Sequence, residues 1–207
     1  MTDDSEFDRR APEPLLIVIS GPSGSGKDTV VQRMKDRGLE FHFVVTATTR
    51  PRRPGEVHGK DYWFISRDEF DGMIEKSELI EHAVVYGDYK GVPRAEVQHA
   101  LASGQDVVLR LDVQGAETVR KLVPEALLIF ILTDSEDELI RRLQHRKTET
   151  PEELEVRINT ARNELKRVEV FDYLIVNHES LLDHTVDVIM AIIEAEHHRV
   201  HQRKVSL

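Results

Sequence analysis

The chain has 207 residues, 40% of them hydrophobic and 32% charged, enough for one ordinary domain with a sizeable apolar core and too many for a disulfide-stapled miniature fold. Its 28 Lys and Arg stand against 38 Asp and Glu, a formal net charge of −10, so the surface repels polyanions overall and neither nucleic acid nor a membrane is an expected partner. The absence of cysteine removes disulfides, thiolate zinc sites and thiol nucleophiles, and the longest apolar runs, Leu15–Ile19 and Ala126–Leu132, fall far short of the roughly 20 residues that span a bilayer.

Residues 1–14 are polar, acidic and proline-bearing, and they are expected to form a disordered tail because they cannot bury enough apolar area to offset the entropy of ordering. They lack the basic start and apolar centre of a secretory signal. From Leu15 the chain reads LLIVIS, a short apolar run rich in β-branched residues, as expected of a strand buried on both faces of a parallel sheet. Similar runs recur at Asp106–Leu111, Leu127–Leu132 and Tyr173–Val176. After the first run, Val30, Val31 and Met34 mark a helix that Gly38 ends as a left-handed cap. Strands alternating with helices predict an α/β domain, a doubly wound parallel sheet with right-handed crossovers.

Two stretches interrupt the alternation. Residues 46–97 turn polar and proline-bearing, with a strand-like YWFI at 62–65 and a helical pattern over Glu69–Lys76, and are read as an inserted lobe of mixed α+β structure. Between about 135 and 168, Leu139 and Leu143 mark a short helix. Thr150-Pro-Glu-Glu153 is a capping box with proline at the first helical position, opening a helix with Leu154, Ile158, Ala161 and Leu165 on one face. The polar break at 145–149 between these helices lets the pair move as a lid. Residues 196–207 are basic and His-rich, an end expected to fray.

The sharpest signal is LLIVIS followed by Gly21-Pro22-Ser23-Gly24-Ser25-Gly26-Lys27 and a helix. In a strand, loop and helix setting such glycines let backbone N–H groups face phosphate oxygens, the helix N-terminus adds positive potential, and Lys27 reaches the outer phosphates. The alternative is a glycine-rich turn with a surface lysine. The next residue in this pattern is ordinarily Ser or Thr, whose hydroxyl helps hold Mg²⁺; here it is Asp28, followed by Thr29. A carboxylate beside a phosphate cradle repels nucleotide unless a cation lies between them, so Asp28 reads as a magnesium ligand, direct or through water, or else as a helix-dipole carboxylate in the first turn.

With this loop, TATTRPRRPGEVHGKDYWFIS (46–66), LIEHAVVYGDYKGVPRAEV (79–97), LDVQGAETVRKLVP (111–124) and RRLQHRKTETPEELEVRI (141–158) fall in order at family-like intervals, and over residues 15–195 the chain resembles guanylate kinases. The resemblance implies a P-loop nucleoside monophosphate kinase with a core, a GMP-binding lobe and a lid, moving the γ-phosphoryl of ATP to GMP or dGMP with Mg²⁺ as cofactor. It implies that residues 21–29 hold ATP, that Arg50, Arg53, Tyr62 and Lys90 hold the acceptor phosphate, and that Thr46, Glu81 and Asp112 read guanine. It also implies that Lys27, Arg142, Arg146 and Arg157 neutralise the transferring phosphoryl, and it offers Asn177 and the lid arginines as candidates for adenine. Residue chemistry agrees, because arginine forks suit a monoester phosphate and carboxylates suit the N1–H and N2–H₂ donors of guanine. Taken alone, RPRRP also reads as a solvated basic loop, Glu81 as a surface acid and the lid arginines as solvated or paired charges. A cytoplasmic location is expected from the supply of ATP.

The chain leaves the family pattern at three places. Lys90 replaces a tyrosine that helps hold the acceptor phosphate, and Val92 replaces a hydroxyl residue that contacts guanine O6. Arg110 replaces an acid two residues before the guanine-contacting Asp112, on the same strand face, where it is expected to pair with Asp28 or with phosphate. Two other functions compete: a ribose 1,5-bisphosphate phosphokinase, whose acceptor has no base and would leave Glu81 and Asp112 without partners, and the non-catalytic guanylate-kinase-like module of scaffold proteins, which has typically lost the lysine-bearing loop.

Overall fold

The computed structural model describes residues 12–85, 87–144 and 151–207. The first eleven residues of the expected tail, the polar break at 145–149 with Arg146, and Thr150 of the expected capping box lie outside the described residues.

Five strands form a parallel sheet: β1 (Leu16–Ser20), β2 (His42–Phe43), β7 (Val107–Arg110), β8 (Leu127–Leu132) and β9 (Tyr173–Val176), in the order β2-β7-β1-β8-β9. Because successive strand residues point to opposite faces, β1 supplies both cores. Ile17 and Ile19 pack with Val30, Val31 and Met34 of α1 (Lys27–Asp36) and Val186, Ile189 and Ile193 of α7 (Leu182–His197). Leu16 and Val18 pack on the other face with Val97 and Ala100 of α3 (Arg94–Ala102) and Ala116 and Val119 of α4 (Val113–Leu122). A strand with both faces covered needs the unbroken apolar run that LLIVIS provides, and Gly38 caps α1 at φ 66°.

Between β2 and α3 a second sheet forms, built from β3 (Ala47–Thr48), β4 (Trp63–Phe64), β5 (Leu79–Val85) and β6 (Asp88–Pro93) in the mixed order β4-β3-β6-β5. Its small core is Phe70, from α2 (Arg67–Glu75), with Ala47 and Leu79; Tyr89 stacks on Phe70 at 5.0 Å. Ser66 and Glu69 close a capping box at the start of α2, a local device that fixes where this helix begins. The helices α5 (Glu136–Gln144) and α6 (Pro151–Leu165) join through Leu139, Leu143, Leu154, Ile158 and Ala161. Leu165, expected on that face, is 40% exposed: it lies in the last turn of α6, beyond the reach of short α5.

The C-terminal end departs most from expectation. It does not fray: Arg203 is buried, donating to Glu196 at 2.7 Å and to the Ala126 carbonyl at 3.2 Å and facing Asp172 at 3.6 Å, while Val205 and Leu207 pack on the second core. The acids that hold Arg203, Glu196 in the last turn of α7 and Asp172 before β9, lie on other elements and leave no signal in the local sequence of the tail. Among the described residues no helix is long and apolar enough to cross a membrane.

Candidate active site

The carboxyl ends of the parallel strands, the second sheet and α6 enclose a cleft of about 460 Å³. From the β1–α1 loop come Gly21, Ser23, Gly24 and Gly26, and from the first turn of α1 come Lys27, Asp28 and Thr29; from the second sheet and its loop come Thr46, Arg50, Arg53, Tyr62, Glu81 and Lys90; Asp112 and Arg157 complete the set anticipated from sequence. Pro22 and Ser25 serve the loop from behind, the Pro22 carbonyl accepting from Lys27 Nζ at 3.1 Å and the Ser25 carbonyl accepting from Asn177 Nδ2 at 3.0 Å. Gly26 caps α1 at φ 90°, and a Cβ there would lie 2.4 Å from Asn177 Nδ2, so both backbone conformation and packing require glycine.

Arg142 lies elsewhere. It donates to the Ser25 and Asn177 carbonyls at 3.4 and 3.2 Å, is ion-paired with Glu138, and borders a neighbouring cavity of about 290 Å³ with Gly24, Gly26, Thr29 and Asn177. Arg157 reaches the main cleft, with Nη1 3.5 Å from the Ser23 hydroxyl. Asn177 is buried with both ends of its amide engaged, donating to Ser25 and accepting from Thr185 at 3.1 Å. It braces the phosphate loop.

On the second-sheet side, Arg50 forks onto Glu56 at 2.9 and 2.7 Å and lies 5.1 Å over the Tyr62 ring. Glu56 thereby fixes the direction of a five-donor fork, and the Arg50 hydrogen bond holds the Glu56 carboxyl below its ordinary range. Tyr62 is shifted upward, mainly by burial. Burial lowers Lys90 against the opposing charge of Asp112, with Lys27 and Arg110 adding like-charge repulsion.

Glu81 is the most unusual group. It is 4% exposed, its Oε2 finds no hydrogen-bond partner among the described residues, and burial together with the Asp112 charge pushes it up to about 8. A Cβ on Gly115 would sit 3.0 Å from that oxygen, so Gly115 makes room for the carboxylate. Asp112 turns its Oδ1 back to accept from the Gly115 N–H at 2.8 Å as the N-cap of α4. Val92 is fully buried in the core and does not line the cleft. Asp28 and Arg110 form the expected ion pair, at 3.3 Å.

Sequence reasoning missed Glu164, which lines the cleft and is raised to about 7 by burial. The available signal was spacing: Arg157, Thr160 and Glu164 form a polar i, i+3, i+7 stripe on α6, and all three line the cleft. Glu56, Asp88 and Gln114 were also missed. Glu56 comes from a loop, Asp88 opens β6 and Gln114 lies in the first turn of α4, so each is a single polar residue at an element end or in a loop, with no periodic signature.

The guanylate kinase family model matches residues 13–196. Guanylate kinase 2, chloroplastic/mitochondrial, of Oryza sativa subsp. japonica is 51% identical over 95% of this chain and 69% of its own length. The guanylate kinase of Nocardia farcinica is 51% identical over 79% of this chain and 86% of its own. Among solved structures, the guanylate kinase of Anaplasma phagocytophilum superimposes with a TM-score of 0.76 at 31% identity, covering 92% of this chain and 89% of that one. Fold, cleft and relatives agree, and the chain belongs to the guanylate kinase family, which phosphorylates GMP to GDP at the expense of ATP.

Proposed function

We infer that this chain transfers the γ-phosphoryl of ATP to GMP, giving ADP and GDP, with dGMP as a second acceptor carrying the same base. The observation that carries the reading is Glu81: a buried carboxyl with an unpartnered oxygen, beside a second carboxylate at Asp112, facing a cleft that also holds a phosphate loop. Such a pair is costly to bury without donors, and the guanine edge presents adjacent N1–H and N2–H₂ groups. Thr46 offers its hydroxyl to O6; buried Val92 contributes nothing to that contact.

The acceptor phosphate belongs among Arg50, Arg53, Tyr62 and Lys90, and the donor phosphates belong on the loop at residues 21–27 with Lys27 and Arg157. Transfer through a loose transition state asks for alignment and for neutralisation of charge on three equatorial oxygens. The cations lining the cleft, Lys27, Arg53, Lys90 and Arg157, support this reading because they are placed to meet that charge. Arg142 acts on this reading through the loop, holding its Ser25 carbonyl from behind. Movement of α5 and α6 as a lid would exclude water, which otherwise competes as acceptor.

Mg²⁺ fits the residues present. Asp28 and Thr29 supply a carboxylate and a hydroxyl at the cleft, and no group of three His, Cys, Asp or Glu side chains arranged for a metal occurs among the described residues, as suits an ion held mainly by substrate phosphates and water. When bound, it neutralises and orients the donor phosphates. On this reading the reaction runs in the cytoplasm, where both nucleotides are supplied.

A coupled assay supplying ATP and Mg²⁺ with GMP, dGMP, AMP or ribose 1,5-bisphosphate tests the proposal. Turnover is expected with GMP and dGMP and at most about a hundredth as fast with AMP, which lacks the N1–H and N2–H₂ donors that the carboxylates require. Preferred turnover of the base-free sugar, or none at all, would reject it.

A further inference from the structure

Arg110 ends β7, paired in register with Ile19 of β1, just before the phosphate loop. Three features hold its guanidinium in place. Nη1 lies 3.3 Å from Asp28 on the first turn of α1, the guanidinium carbon lies 4.9 Å over the Tyr62 ring, and the side chain, 24% exposed, emerges from a strand inside the parallel sheet. Arg50 lies over the same ring at 5.1 Å. Tyr62 therefore links the fork beside the acceptor phosphate to a fork beside the donor loop, and Arg110 lines the cleft between them.

A purely structural ion pair does not need this placement. Asp28 is more than half exposed, and an exposed pair contributes little stability. Lys27, Lys90, Arg53 and Arg157 line the same cleft together with the carboxylates Glu81, Asp88, Asp112 and Glu164; among the described residues the ion pair of Arg110 is with Asp28, so its other donors are placed to meet an anionic phosphate. A guanidinium locked by stacking and one carboxylate has N–H groups left over and needs no reorganisation when charge develops.

We propose, on the phosphoryl-transfer reading above, that Arg110 is a further catalytic residue whose guanidinium donates to the phosphoryl group in flight between the two nucleotides. In that step an acceptor phosphate oxygen forms a bond to the γ-phosphorus. The bond from γ-phosphorus to the β,γ-bridging oxygen breaks, and its electron pair leaves with ADP. Arg110 stabilises charge on the equatorial oxygens and exchanges no proton. Asp28 orients it from one side and Tyr62 from the other.

The test compares wild type, Arg110→Met, Arg110→Lys and Arg110→Ala for kcat, both KM values, GMP affinity by calorimetry and melting temperature. Losing one preorganised donor lowers kcat about 10²-fold in Arg110→Met, with KM and GMP affinity within about threefold of wild type. Arg110→Lys keeps the charge without the fork and retains about a tenth of kcat, and added guanidinium ion raises the kcat of Arg110→Ala. The inference is overturned if Arg110→Met keeps wild-type kcat, or if its whole loss lies in GMP affinity or melting temperature. Should the Met variant not fold, wild-type kcat in folded Arg110→Lys overturns it equally. An inactive wild type would instead reject the kinase reading itself.

Discussion

Glu81→Gln is expected to lower kcat/KM for GMP about 10³-fold, the loss of a charge-assisted hydrogen bond plus the apposition of two donors, and at the same time to stabilise the ligand-free protein at alkaline pH. Both effects come from the same burial. The Glu81 carboxyl is 4% exposed and raised to about 8, so between about pH 4.5 and 8 the folded protein holds a proton that the unfolded chain has released. Stability therefore falls as pH rises through that window and levels off above it. Glutamine has no charge to desolvate and removes this slope. Glu164, raised to about 7, adds a slope of its own in both proteins, so the difference between their melting temperatures isolates Glu81. The variant should melt above wild type at pH 8.5 and close to it at pH 5. A parallel pH profile for the two proteins would contradict the raised Glu81 carboxyl, and unchanged GMP kinetics would remove Glu81 from guanine recognition.

Arg203→Met is expected to cost about 3 kcal/mol, the typical penalty for breaking a buried ion pair by removing one partner, or about 10 °C in melting temperature for a domain of this size. The C-terminal segment is held by a network in which Glu196 accepts from Arg203 at 2.7 Å, from Tyr173 at 2.7 Å and from Arg199 at 3.1 Å. Burial opposes ionisation of Glu196, but these donors outweigh it and bring the group down to about 2. Its contribution is thus complete above about pH 4.5 and lost as pH falls toward 2. Without Arg203 that depression weakens, so acid unfolding of the variant should begin at higher pH. Catalysis at 25 °C should be unaffected, because the network lies outside the cleft. A melting temperature within 2 °C of wild type would contradict the assignment.

What the sequence made legible follows the range of each interaction. The phosphate loop is a local object: LLIVIS buries both faces of a central strand, and the glycines and Lys27 follow within seven residues, so neighbours in the chain carry the whole signal. The acceptor side is assembled from segments some thirty residues apart, and composition alone did not distinguish Glu81 from a surface acid; family resemblance named it, and its burial against Gly115 gives the physical reason. Groups whose role depends on a partner across the fold escaped notice. Glu164 acts through the packing of α6 on the loop, Glu56 through the Arg50 fork, and Arg203 through acids on α7 and before β9. Leu165 shows the converse error, since a helical stripe is buried only as far as its partner extends. Arg110 lay between these cases: strand alternation gave its face and the family departure drew attention to it, while its stacking on Tyr62 is tertiary.

The central claim is that an ionised, buried Glu81 reads the guanine edge, and proton-linked calorimetry addresses it directly. GMP is titrated at pH 7 into wild type and Glu81→Gln, each in two buffers of different ionisation enthalpy. A carboxyl raised to about 8 before GMP is added is mostly protonated at that pH and must give up its proton to accept from guanine. The titration of the GMP phosphate itself is common to both proteins. The account predicts that wild type releases close to one proton more per site than the variant and binds GMP far more tightly; equal proton counts with equal affinities would contradict it.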